Sequence, residues 1–189
     1  MKKPIVKIII AAIVYLALYP LASSAGLIHP VCYAYVGTLM PLLFAFVYLP
    51  ASANWQRFGA ATILNGFVLI LGFIAGEGNL SFAIGMIALT VIAEIIRGVC
   101  GYDTLKGTKL SFIPFAFSFY TYSAHWWFDK EGSLAAAVEE MPAGYADKMA
   151  PVIDNIPLLI VMLVLTVPVA ILGMLIACKV MKKQAALLK

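Results

Sequence analysis

Two features of this 189-residue chain predict an all-α, polytopic membrane fold. Six long apolar stretches fill most of it, and the basic residues between them gather on one side of the bilayer those stretches imply. Hydrocarbon offers no partner to a backbone N–H or C=O, so a spanning segment must satisfy its own, as a helix does. A spanning helix takes about 20 mostly apolar residues. Hydrophobic residues make up 63% of the chain and charged residues 12%, against about 25% charged in a soluble domain. Mean hydropathy is +1.00.

The spans read as Ile5–Leu21, Val31–Leu49, Ala60–Ala75, Leu80–Ile96, Leu110–Phe128 and Leu158–Val180, in a single domain over residues 1–189. Gly, Pro and charge punctuate the gaps: Gly26 to Pro30, Pro50 to Arg57, Gly76 to Asn79 and Gly101 to Lys109. Lys2, Lys3 and the first apolar run, followed by Ser23-Ser24-Ala25, have the outline of a secretory signal. The run is long for such a signal, and its removal would put the later spans out of step, so it is expected to stay as an anchor.

Orientation follows from Lys and Arg. With the N-terminus inside, Lys2, Lys3, Lys7, Arg57, Arg97, Lys106, Lys109, Lys179, Lys182, Lys183 and Lys189 all face the cytoplasm, and only Lys130 and Lys148 lie outside. Glu77, Asp129, Glu131, Glu139, Glu140, Asp147 and Asp154 fall outside. The expected topology is N-in, C-in, multi-pass, in a membrane bordering the cytoplasm. The net charge of +4 does not point to nucleic acid, because the basic residues sit at helix ends and form no face.

No phosphate loop, Gly-x-Ser-x-Gly or His-Glu-x-x-His occurs, so no enzyme signature is present and any ATPase must be another chain. Cys32, Cys100 and Cys178 are far apart and match neither a disulfide framework nor a metal spacing. Glu94 and Arg97, three apart on the fourth span, share a helix face and can pair. Either Arg97 snorkels to the interface with Glu94 neutralising it, or the two dock a cytoplasmic partner.

The outer side holds both histidines. His29 precedes the second span, with Tyr33 and Tyr35 after it, and Glu77 and Asn79 form a short outer turn. The fifth span ends in an aromatic run containing Tyr120, Tyr122, His125, Trp126 and Trp127. An interfacial aromatic belt accounts for the two tryptophans; it accounts less well for Tyr120 and His125. The longest loop, 129–157, follows. Ser133 to Met149 reads as a helix capped by Ser133 and broken or kinked at Pro142, with Glu139 and Glu140 solvated. Leu134, Ala137, Val138, Met141, Tyr145 and Met149 give it an apolar stripe, which suits either a lid or a segment lying flat in the interface. Small-residue pairs four apart, Ala22 with Gly26, Gly72 with Gly76 and Gly173 with Ala177, suit close helix packing.

Certain segments resemble a known family: Gly26-Leu27-Ile28-His29-Pro30, Leu39-Met40-Pro41-Leu42-Leu43, Ala93-Glu94-Ile95-Ile96-Arg97, Gly144-Tyr145-Ala146-Asp147-Lys148-Met149 and the Lys-rich tail. Over essentially the whole chain it resembles the Trep_Strep group of bacterial integral membrane proteins, grouped with the substrate-binding S components of energy-coupling-factor (ECF) transporters. The resemblance implies a six-helix protein that binds a micronutrient from outside, docks on a transmembrane coupling subunit and is driven by two cytoplasmic ATPases. It implies a ligand site among His29, Tyr33, Glu77, Asn79, Tyr120, His125 and Trp126, with the long loop as gate. Partner docking would fall on Ala11, Ala12, Glu94 and Arg97. The Ala-x-x-x-Ala of many S components is missing from the first span, since Ala11 is followed four on by Tyr15 and Ala12 by Leu16.

No resident cofactor is expected. The transported ligand could be haem or another iron chelate, since haem iron takes His, Met or Tyr, or a flat vitamin stacking on Trp126 or Tyr120. Whether the protein itself ligates a metal is left open. Two other functions compete: an accessory or scaffold subunit, and an intramembrane enzyme centred on Glu94.

Overall fold

A computed structural model describes residues 4–188, and among these the regular structure is entirely helical. Helix α1 runs Pro4–Ser23 and ends in a 3-10 turn, Ser24–Leu27. His29 caps α2 (Pro30–Tyr35), its Nδ1 accepting from the Val31 amide at 3.2 Å. A 3-10 turn at Val36–Thr38 separates α2 from α3 (Pro41–Asn54). The expected second span is therefore not one continuous helix. Pro41 has no N–H to give and suits the first turn of a helix, so α3 starts there.

Helix α4 (Ala60–Ile74) begins after Gly59, whose φ of 110° suits only glycine, and α5 runs Leu80–Cys100 behind the Asn79 cap. The next segment comprises α6 (Leu105–Phe115), α7 (Ser118–Ser123) and α8 (His125–Phe128). The expected fifth span is thus in three pieces, and it starts earlier than hydropathy suggests. Thr104 initiates it by accepting from the Gly107 amide at 2.9 Å, bringing Lys106 and Lys109 into helix. Then follow α9 (Lys130–Glu140), α10 (Tyr145–Ile153), α11 (Ile156–Val180) and α12 (Lys182–Ala185).

Among the described residues, four stretches are long and apolar enough to cross a membrane: Pro4–Leu27, Pro30–Asn54, Leu80–Cys100 and Ile156–Val180. Helix α4 is also apolar but has 15 residues. At 1.5 Å per residue it reaches about 22 Å, against a hydrocarbon core of about 30 Å.

The main core joins α1, α3, α4, α5, α6, α7 and α11 around stacked aromatic rings. Tyr15 lies edge-on to Phe44 at 4.8 Å, and Tyr48 and Phe115 are 4.5 Å apart. Of the small-residue pairs, Gly173 with Ala177 packs as expected: a Cβ on Gly173 would stand 2.8 Å from the Pro41 carbonyl oxygen and 3.0 Å from Leu42 Cα. The other two pairs do not behave as pairs. Gly76 terminates α4 with φ 86°, and Gly26 lies in the 3-10 turn beneath Tyr145 and Tyr33.

One end of the bundle gathers the start of α1, the end of α3 and the chain's last turn. There Lys7 Nζ donates to Asn54 Oδ1 at 2.8 Å, Asn54 Nδ2 donates to Gln184 Oε1 at 2.9 Å, and Gln56 Nε2 donates to the Leu187 carbonyl at 2.6 Å. Lys2, Lys3 and Lys189, expected on this side, lie outside the described residues.

Candidate functional site

Glu94 and Arg97 mark that first end. Both are buried, Glu94 at 3% exposure and Arg97 at 0%. They neither pair with each other nor snorkel; each holds backbone instead. Glu94 Oε1 accepts from the Ala61 and Thr62 amides at 2.8 and 3.2 Å, capping the α4 N-terminus that Gly59 cannot cap. Arg97 donates through Nη2 to the carbonyls of Ser52 (2.9 Å), Trp55 (2.9 Å) and Tyr102 (3.0 Å), and through Nη1 to that of Arg57 (3.3 Å). The pair therefore fastens the α3–α4 turn to α5. Ala11 and Ala12, also expected on a docking surface, are buried in the core, where their small side chains let α1 pack against its own neighbours.

The opposite end is covered by the 129–157 segment. As Pro142 suggests, this segment is two helices, α9 and α10, with Gly144 at φ 77° between them. It folds over the bundle: Tyr145, Met149, Val152 and Ala137 pack on Tyr33, Tyr35 and Trp126, forming a second apolar cluster. Tyr35 OH donates to the Val152 carbonyl at 3.2 Å, and an exposed Lys130–Asp154 ion pair joins the two ends of the cover. Val138, expected in the apolar stripe, is 72% exposed, because the turn at Met141–Gly144 sets α9 and α10 on different axes.

Beside this cover lies a polar recess of about 420 Å³ bordered by Glu77, Asn79, Tyr122, His125, Asp129 and Glu140. Neighbouring recesses share its walls, through Asn79, His125 and Asp129 on one side and through Glu77 and Tyr122 on the other. Tyr122 OH donates to Glu77 Oε2 at 3.1 Å.

Ser133 does not cap a helix. It sits inside α9 and orients His125. Its hydroxyl donates to the His125 carbonyl at 3.1 Å and lies 2.8 Å from His125 Nδ1. In the tautomer protonated on Nδ1, Nδ1 donates to the hydroxyl and the hydroxyl's one proton goes to the carbonyl. That tautomer keeps Nε2 as an acceptor. With the carboxylates of Glu77, Asp129 and Glu140, the recess is rich in acceptors, and among the described residues no Lys or Arg lines it. Among the described residues, no three His, Cys, Asp or Glu side chains converge as a metal site would require. The chemistry suits an organic cation or a donor-rich molecule better than a bare ion.

Of the expected ligand residues, the structure thus brings Glu77, Asn79 and His125 to one recess. Tyr33 and Trp126 form an edge-to-face wall behind it, ring centroids 6.1 Å apart, with Tyr33 close to Tyr122 and Glu77. Tyr120 is separate: its hydroxyl bonds Thr38 Oγ1 at 2.5 Å, and Thr38 donates to the Met162 carbonyl, tying α7 to α11. His29 is exposed and engaged as the α2 cap. The Trp126 and Trp127 indole N–H groups and the Tyr145 hydroxyl are buried without a hydrogen bond in the protein, and burial pushes the Tyr145 hydroxyl above the usual phenol range. Sequence reading missed Tyr122, Asp129, Ser133 and Glu140. The one available signal was the placement of Asp129 and Ser133 four and eight residues after His125, a spacing that survives although Asp129 itself breaks the helix.

The profile of the family described as "Hypothetical bacterial integral membrane protein (Trep_Strep)" matches residues 2–186, and the chain belongs to that family. Comparison with curated proteins and with solved structures finds no significant match.

Proposed function

We propose that this member of the Trep_Strep family is the substrate-binding S component of an ECF-type ABC importer. In this reading it crosses the bacterial cytoplasmic membrane six times, N-in and C-in. Helix α4 and the broken α6–α8 segment supply the two crossings beyond the four long apolar stretches. The excess of basic residues at the Glu94 end and of acidic residues at the His125 end supports this orientation. The His125 end then faces outward. A coupling subunit and two ATPases would supply the energy, because the chain carries no phosphate loop.

One observation carries the reading: an acceptor-lined recess beside a two-helix cover packed on an aromatic wall. A scaffold needs no histidine oriented through a serine. The cargo that suits these walls is a cationic or donor-rich micronutrient whose N–H groups meet Glu77, Asp129 and His125 Nε2. Haem or another iron chelate would instead use His125 Nε2 as an iron ligand.

Mass spectrometry and an absorption spectrum of the protein, gently purified from its host membranes, test this. A stoichiometric small cation that is lost in His125→Ala is the expected result. A haem band would keep the carrier reading and replace the cargo. A chain that co-purifies with no ATPase or coupling subunit and no small molecule would overturn it.

A further inference from the structure

The polar recess beside the cover continues into an apolar crevice of about 480 Å³ between α1 and α4. Leu16 and Tyr19 line it from α1, Val68 and Leu71 from α4, and Phe82 from the start of α5. Along α1 it runs from Leu16 to Ser23, about 10 Å at 1.5 Å per residue. Glu77 and Tyr122 border both the crevice and the polar recess, so they stand where the two meet. Among the described residues lining the crevice, Glu77 alone carries a charge.

Unlike the buried Glu94, Glu77 is exposed, so a ligand in either cavity can reach its carboxylate. It accepts a hydrogen bond from Tyr122 at 3.1 Å, and among the described residues it forms no ion pair. The Tyr122 ring stands edge-on to Tyr19 and Phe82, at centroid distances of 5.9 and 5.7 Å, which fixes the direction of its hydroxyl. A carboxylate held this way at the mouth of an apolar crevice complements a cation with an apolar arm. The ammonium gains a charge-assisted hydrogen bond, and the arm leaves water. A bilayer phospholipid fits less well. Its phosphate would lie against the carboxylates of Glu77, Asp129 and Glu140, and no described Lys or Arg lines the recess to meet it.

We propose that the cargo is a primary amine with an apolar arm, its ammonium on Glu77 and its arm between α1 and α4. This rests on the carrier reading above and narrows it, from any cationic or donor-rich molecule to an amphipathic amine.

Isothermal titration of the full chain in detergent with butylamine, hexylamine and hexanol tests this. Each buried methylene predicts about fourfold in affinity, so hexylamine should bind about tenfold or more tighter than butylamine. Hexylamine should bind about fivefold tighter than hexanol, the contribution of an exposed ion pair. Glu77→Gln should erase that difference. Leu71→Trp narrows the crevice from α4 and Leu16→Trp narrows it from α1. Each should flatten the dependence on arm length, and the second serves if the first does not fold. Equal binding of the two amines would overturn the arm and leave the polar recess as the cargo site. Hexanol binding as tightly as hexylamine would mean a crevice that takes any hydrocarbon, a lipid tail included, and would overturn the amine. A length dependence that survives both tryptophan variants would sink the placement between α1 and α4. If neither amine binds, the proposal fails, and the carrier reading is then decided separately by the molecule that co-purifies from host membranes.

Discussion

At the Glu94 end, a guanidinium and a carboxylate are spent on backbone groups: Arg97 meets three carbonyls of the α3–α4 turn and that of Tyr102 after α5, and Glu94 meets two amides at the start of α4. At the His125 end, the carboxylates of Glu77, Asp129 and Glu140 border an open recess, and the imidazole beside them is oriented by Ser133. The difference teaches that burial of charge alone does not mark a site. Ionisable groups inside a membrane protein are functional suspects by default, yet the most buried acid and base here, Glu94 and Arg97, are mainly a fastening. The better marker is an oriented group with acceptor capacity left over.

The sharpest way to break this contrast is Arg97→Met. It strands buried carbonyls at the α3 C-terminus and should lower stability by about 3–5 kcal/mol, the cost of removing one buried charged partner. Thermal unfolding in detergent followed by size exclusion reads this out. A change below about 1 kcal/mol would show that the end is not a fastening.

Gly173→Val should come next. Its side chain meets the Pro41–Leu42 backbone rather than a movable side chain, so a loss of about 1–3 kcal/mol is expected in the same assay.

His125→Ala should leave melting nearly unchanged while weakening cargo binding about tenfold, or about 1.4 kcal/mol, by equilibrium titration. Ser133→Ala, which frees the imidazole from its orientation without removing it, should fall between His125→Ala and the unaltered protein. If Ser133→Ala melts far earlier but binds normally, Ser133 acts as a structural tie and not as the orienter of His125.

Lys130→Ala is expected to have the smallest effect. The Lys130–Asp154 pair is exposed, and such pairs contribute roughly 0–1 kcal/mol. A faster cargo release with unchanged melting would sharpen the view of α9–α10 as a movable cover.

Much of the architecture was legible without coordinates. Apolar run length placed α1, α4, α5 and α11 within a few residues, because a helix that satisfies its own backbone is a local solution. Pro142 correctly marked the division of the cover, since proline's missing N–H is also local. Hydropathy failed where other forces set the boundary. The break before Pro41 interrupts an apolar run, and the Thr104 cap extends helix into lysines.

Side-chain partnership was decided by the tertiary structure alone. Residues 94 and 97 sit three apart on one helix face, which suggests they pair with each other. Only the approach of Ala61, 33 residues away, and of Ser52, 45 residues away, turns them to backbone. His29 and His125 look alike as sequence, but one became a cap and the other a wall of the recess, because folding brings Glu77 and the α9 helix to His125 and leaves His29 at the surface. The chain by itself determined a helical membrane protein and the end on which its acids gather, since both depend on composition along short segments. Which of those groups remain free to meet a ligand depends on contacts between residues tens of positions apart, and only the packed fold specifies those.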